Sequence, residues 1–260
     1  MDYSDVIIYI LIIVFIFYMR HINMNNKQIT ASFKMTSISK NEKKQIYSSL
    51  EMLSNCLTIS GITFWIISGT ILGSVRHGEM IPWDDDADIA IFEVDLDKVL
   101  EINKVINNFG YEIAPHWLIY KFRKIGQEYP FIDIFCYKKQ GDTYIMNHED
   151  LIEKWPNEYY KEDELFPLIS YRFGSLNLPG PSYPLAYLDR MYPKWQILGI
   201  QGYDHKRQEH MHEEIQLDQE EEHHRLLPYR TIRTNNKKDL DKFMRKKYKQ
   251  YHNRNILIFK

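Results

Sequence analysis

Four aspartates fall within five residues in the run Ile81-Pro82-Trp83-Asp84-Asp85-Asp86-Ala87-Asp88-Ile89. In an extended strand, side chains two apart point the same way, so Asp86 and Asp88 present two carboxylates on one face, about 7 Å apart along the chain. No Lys or Arg is interleaved to neutralise them, and carboxylates this close repel unless a cation compensates. Magnesium or manganese fits the chemistry, because each takes oxygen ligands and keeps waters that phosphate oxygens can replace. Asp84 and Asp85 read as a solvated acidic turn or as support for the ligands.

A third carboxylate stands in Phe131-Ile132-Asp133-Ile134-Phe135. An ionised carboxylate alone among apolar neighbours costs many kcal/mol, so Asp133 must be metal-bound, at an exposed strand end, or paired with Lys121 or Arg123 on a neighbouring strand. Upstream, Ser68-Gly69-Thr70-Ile71-Leu72-Gly73-Ser74-Val75-Arg76-His77-Gly78 follows an apolar run and opens a helix. Free backbone N–H groups and the positive end of the dipole favour phosphate at such a start, and glycine lets it come close. Ser68 or Thr70 can donate to the anion, and Arg76 can neutralise charge on it. A plain helix cap is the competing reading of this turn.

Position in the fold decides whether these groups meet. Ile46, Leu50, Leu53 and Leu57 recur at helical spacing, predicting an amphipathic helix over Asn41–Leu57 that Ser39 could cap. Ile62–Ile67 and Asp88–Phe92 read as strands, with a short helix over Thr70–Val75 between them. A helix over Leu96–Phe109 is stopped by Gly110, and Trp117–Ile125 and Pro130–Tyr137 read as paired strands. Leu165–Leu178 reads as a strand or hairpin before Pro179-Gly180-Pro181. The acidic, His-rich stretch Asp204–Arg225 and the basic Lys237–Arg254 read as helices. His205, His210, His212, His223 and His224 match no structural zinc spacing and are read as part of a solvated helix. Trp83 and Trp195 are either core or stacking platforms for a base or sugar.

The 260 residues, 44% hydrophobic and 26% charged with a formal net charge of -2, describe a folded chain without the basic excess that draws nucleic acid. Cys56 and Cys136 are read as two buried thiols. Residues 6–19 are an unbroken apolar run, short of the roughly 20 a membrane-spanning helix needs but extendable by local thinning. The domain reading is therefore a single-pass anchor over 1–22, a linker over 23–40, a catalytic domain over 41–200 and a charged, helical extension over 201–260. Arg20, Lys27 and Lys34 after the run place the domain in the cytoplasm by the positive-inside rule.

Strand, Ser-Gly-Thr, short helix, Gly73-x-x-Arg76-His77-Gly78 and then Ile81-Pro82-Trp83-Asp84-Asp85-Asp86-x-Asp88-Ile89 together resemble the LicD/fukutin family, a branch of the nucleotidyltransferase superfamily. The similarity runs more loosely to Tyr192-Pro193-Lys194-Trp195, where the family's glycine after the closing tyrosine is replaced by Pro193. The resemblance implies an α/β (α+β) fold, a nucleotidyltransferase-like mixed sheet flanked by helices. It puts Gly69, Thr70, Gly73 and Arg76 near the donor, Asp86 and Asp88 on a metal, and Asp133 as third carboxylate; the apolar surroundings of Asp133, which would raise its pKa, make it the best candidate among the carboxylates to accept the hydroxyl proton. The resemblance also implies transfer of a phospho-alcohol, of the phosphocholine or ribitol-phosphate type, from a CDP-linked donor to a glycan or glycoconjugate, and a Golgi or ER lumenal setting that conflicts with the flanking charges. The alternatives are a nucleotide-sugar glycosyltransferase using the same Asp-x-Asp, and a non-catalytic membrane-anchored module.

Overall fold

The computed structural model describes residues 38–217. Helix α1, Lys40–Ile59, buries Ile46, Leu50, Leu53 and Leu57 along one stripe. Its first turn is closed by the expected cap: the Ser39 hydroxyl accepts from the Glu42 N–H and the Glu42 carboxylate accepts from the Ser39 N–H, a reciprocal pairing that satisfies two otherwise free donors.

Strand β1, Phe64–Ile66, leads into helix α2, Ser68–Arg76, and then strand β2, Ala87–Phe92. After β2 the single helix expected over Leu96–Phe109 is broken into α3, Leu96–Glu101, and α4, Asn103–Ile106, with 3-10 turns at either end. The break falls beside Asn103, whose side-chain amide bonds both the N–H and the carbonyl of Ile113. That ties the helix to β3, Tyr111–His116, a strand the sequence reading missed. Gly110 does end the segment, at φ +78°, where glycine avoids the penalty on other residues.

Strands β4, Ile119–Lys124, and β5, Phe131–Gln140, continue the sheet; β6, Thr143–Met146, helix α5, Glu149–Lys154, β7, Tyr159–Lys161, and the short helix α6, Glu162–Leu165, follow. The sheet order is β1-β2-β5-β4-β3, with β6 paired to β5 and β7 to β6. Only β2 and β5 pair in parallel; the other neighbours in this sheet are antiparallel. The expected α/β fold with a mixed sheet is thus present. Strands β8, Ile169–Phe173, and β9, Leu176–Gly180, form a hairpin, and helix α7, Pro184–Met191, follows.

The helix expected from Asp204 is not formed. As far as Gln216 the chain is a second hairpin, β10, Leu198–Asp204, against β11, Glu209–Gln216. The Asp204 carboxylate accepts from the Arg207 N–H, a local bond that favours a turn over a helix, and Gln201 is buried by donating to the Trp83 carbonyl. Among the described residues no helix is long and apolar enough to cross a membrane. The apolar run at 6–19 and the basic segment at 237–254 lie outside them.

Candidate active site

The strand register assembles the acids. Asp88 on β2 stands opposite Asp133 on β5, and Lys121 on β4 stands opposite Asp133 from the other side. Residues directly paired across a sheet share a face, and Asp86, two residues before Asp88, joins them. Carboxylate oxygens of Asp86, Asp88 and Asp133 all lie within 4.8 Å of one another, and the three residues are 7%, 9% and 6% exposed. Lys121 Nζ lies 2.9 Å from Asp133 Oδ1, so Asp133 is at once ion-paired and part of the cluster.

Burial without enough positive charge shows in the acidities. Desolvation, opposed by His205, lifts Asp86 to about 6. It lifts Asp88 well above the carboxylate range, with Asp86 and Asp133 adding to it, and raises Asp133 despite the pull of Lys121. Thr70 Oγ1 accepts from the Asp88 backbone N–H at 2.7 Å. Three buried carboxylates drawn together, each raised in pKa by burial, are the chemistry a hard divalent cation satisfies.

His205, read from sequence as a solvated residue, reaches this cluster from the β10–β11 hairpin. Its Nδ1 lies 2.8 Å from Asp85 Oδ1, its backbone N–H donates to Asp85 Oδ2 at 2.8 Å, and its Nε2 lies 3.4 Å from Asp86 Oδ2. Asp85, Asp86 and His205 form a second set with ligand atoms within 4.8 Å, sharing Asp86 with the first. Burial pulls the imidazole toward neutrality, yet Asp86 and Asp85 prevail and raise its pKa to about 9. Nothing in local spacing signals this contact, which joins residues 120 apart.

The turn at Ser68 borders the acids. Ser68 adopts φ +48°, unusual for a residue with a side chain. Its N–H donates to the Tyr187 hydroxyl at 3.0 Å, and that hydroxyl donates to the Glu158 carboxylate, which also accepts from Tyr137 at 2.8 Å. Gly69 lies against the acidic loop, where a Cβ would stand 2.6 Å from Asp84 Oδ2.

Ser68, Gly69 and Thr70 therefore border the acids, whereas Gly73 and Arg76 lie against packed backbone. A Cβ at Gly73 would meet the Glu79 carbonyl at 2.7 Å. Arg76 is 3% exposed and donates to the Trp195 and Leu198 carbonyls, so its guanidinium fastens the base of the hairpin. Trp83 and Trp195 are core residues at 6% and 2% exposure, their indole N–H groups given to Ile200 O and Asp189 Oδ1.

Residues 61–183 match the model of the LicD/FKTN/FKRP nucleotidyltransferase domain. An uncharacterized protein of Rickettsia typhi is 34% identical over 181 residues, covering 70% of this chain and 55% of that protein. Human ribitol 5-phosphate transferase FKRP is 23% identical over 164 residues, covering 56% of this chain and 32% of its own length. The chain therefore spans about half of the first relative and a third of the second. Among solved structures, the lincomycin-bound lincosamide antibiotic adenylyltransferase LnuA aligns at a TM-score of 0.35 and 16% identity, over 55% of this chain and 80% of that one, a likeness too slight to bear on chemistry.

Proposed function

Because the chain belongs to the LicD/FKTN/FKRP family through residues 61–183, we propose that it moves a phospho-alcohol group, of the ribitol-phosphate or phosphocholine type, from a CDP-activated donor to a glycan hydroxyl. The observation that carries this reading is the meeting of Asp86, Asp88 and Asp133 within 4.8 Å, beside a helix start whose Gly69 is pressed against the same acidic loop. The ligand set, three buried carboxylates in mutual reach, fits Mg2+ or Mn2+. Such a cation would offset the charge of the diphosphate and of the departing CMP.

The protein's own part is to place the reactants and to take up a proton. Asp86, Asp88 and Asp133 would hold the cation, and the N–H groups opening α2 would orient the donor phosphates. The glycan oxygen attacks the phosphorus nearer the alcohol, a new P–O bond forms, and the P–O bond to the bridging oxygen breaks in line, releasing CMP. Asp133, its pKa raised by burial, accepts the hydroxyl proton. Lys121 keeps that carboxylate aimed at the cluster. His205 lends positive charge to Asp86 and pins the hairpin over the acids.

A donor panel tests the reading. The full chain with Mn2+ is expected to release CMP from at least one CDP-alcohol. Turnover of UDP-hexoses with none of the CDP-alcohols would instead make it a nucleotide-sugar glycosyltransferase.

A further inference from the structure

Trp117 stands out among the described residues. It sits in the turn between β3 and β4, is 60% exposed, and adopts φ +53°. A left-handed turn position is relaxed by glycine or asparagine and disfavours a bulky side chain, while an exposed indole gains little from folding. Both costs fall on the same residue.

Its surroundings continue the face that carries the acids. Phe135 follows Asp133 by two residues on β5 and so shares its side of the sheet, about 7 Å farther on. Trp155 packs edge-on to Phe135, with ring centres 6.1 Å apart. Lys154 Nζ lies 4.4 Å from the Trp155 ring and 4.7 Å from the Trp117 ring, a cation–π bridge that holds two indoles in fixed relation. His116, exposed beside Trp117, has its pKa lowered by burial and by Lys121 and raised in part by Asp133, so this end of the hairpin lies within electrostatic reach of the cluster.

We propose that Trp117, with Lys154 and Trp155, forms a sugar-binding platform for the acceptor glycan, leading its terminal hydroxyl toward Asp133. The proposal rests on the transferase reading given above. An indole presents a flat apolar face to the C–H side of a pyranose ring, and neighbouring Lys154 and His116 offer donors to its hydroxyls. One β-strand step, the Phe135–Trp155 contact and the Lys154 bridge separate Trp117 from Asp133, a span that suits a chain of a few sugars rather than a single one. The cytosine of the donor is the competing occupant.

The test reads binding directly. Of the five tryptophans, Trp117 is exposed, Trp155 half-buried and the other three buried, so the iodide-quenchable fluorescence lost on going from the full chain to its Trp117→Ala variant reports Trp117. Soluble oligosaccharides of hexoses and N-acetylhexosamines are the probes, and CDP-alcohols with Mn2+ the control. At least one oligosaccharide is expected to shield the wild-type signal, and titration calorimetry, which needs no indole, is expected to give an affinity about tenfold weaker in Trp117→Ala and mostly restored in Trp117→Phe. CMP release to water, which needs no glycan, should be unchanged in both variants. No shielding by any oligosaccharide, equal glycan affinity in Trp117→Ala, or shielding by CDP-alcohol alone would each overturn the platform. Failure of the wild type to release CMP from any CDP-alcohol would instead strike the transferase reading.

Discussion

Asp88 and Asp133 stand directly opposite one another on β2 and β5, the parallel pair of the main sheet, with no charge of opposite sign between their carboxylates. Lys121 serves Asp133 from the far side, while burial and the charges of Asp86 and Asp133 weigh on Asp88. The chain thus holds an acid in a place that costs stability unless a cation joins it.

That cost gives the first expectation. Asp88→Asn removes a buried charge but keeps the shape, so the metal-free protein should melt higher than wild type by a few degrees, roughly 1–2 kcal/mol. Saturating Mn2+ should raise the melting temperature of wild type and not that of the variant. Equal stabilisation of both by Mn2+ would remove Asp88 from the metal site.

His205→Ala cuts the side-chain tie between the β10–β11 hairpin and Asp85. The Asp85 carboxylate keeps the backbone N–H of residue 205, so the fold should survive with a loss on the order of 1 kcal/mol. Protease cleavage within 205–208 should quicken, since the turn is partly exposed there. Unchanged cleavage would show that contacts such as those of Trp83 and Arg76 and the Lys206–Glu42 pair hold the hairpin without the His205 ring.

Glu158 supplies the pH dependence. Burial lifts its pKa to about 7 from 4.5, against the lowering effect of hydrogen bonds from Tyr187 and Tyr137. A carboxyl raised on folding binds its proton more tightly in the native state. Its contribution to stability is complete below about pH 4.5 and is lost as pH rises through 7. Glu158→Gln, which mimics the protonated form, should therefore gain on wild type between pH 5 and pH 8, by up to roughly 3 kcal/mol. A constant difference across that range, read from denaturant melts, would contradict the shift.

Tyr187→Phe deletes the hydroxyl that accepts from the Ser68 N–H. If this bond holds the donor turn in its left-handed form, KM for the CDP-alcohol should rise about three- to tenfold with kcat nearly constant. Adding Ser68→Gly, which relaxes the positive φ, should recover part of the loss. An equal KM in Tyr187→Phe and wild type would leave the tyrosine a purely structural role.

The acids were legible because strand alternation is a local rule: it places Asp86 with Asp88, and a lone carboxylate amid Phe131, Ile132, Ile134 and Phe135 announces that something must meet it. What met it was partly hidden. Lys121 could be named only as one of two partners, since register depends on where β4 begins, and β3 was overlooked because Pro115 and Ala114 blunt its pattern. His205 was missed for a different reason. Acidic and histidine residues in 204–216 lack an apolar period, so neither helix nor hairpin is written there, and the choice is made by the Asp204 turn and by burial of Gln201 under Trp83. Gly73 and Arg76 resemble phosphate-site residues in sequence but are consumed by packing, which only the positions of Glu79, Trp195 and Leu198 reveal.

The most direct measurement is CMP release by the full chain from CDP-alcohols, with and without Mn2+, compared with Asp133→Asn. Wild type is expected to turn over only with the cation, and Asp133→Asn to fall by about a thousandfold or more while its melting temperature stays within a few degrees. Turnover by wild type in the presence of a chelator, or by Asp133→Asn at more than about a tenth of the wild-type rate with Mn2+, would contradict a metal-dependent transfer centred on Asp86, Asp88 and Asp133.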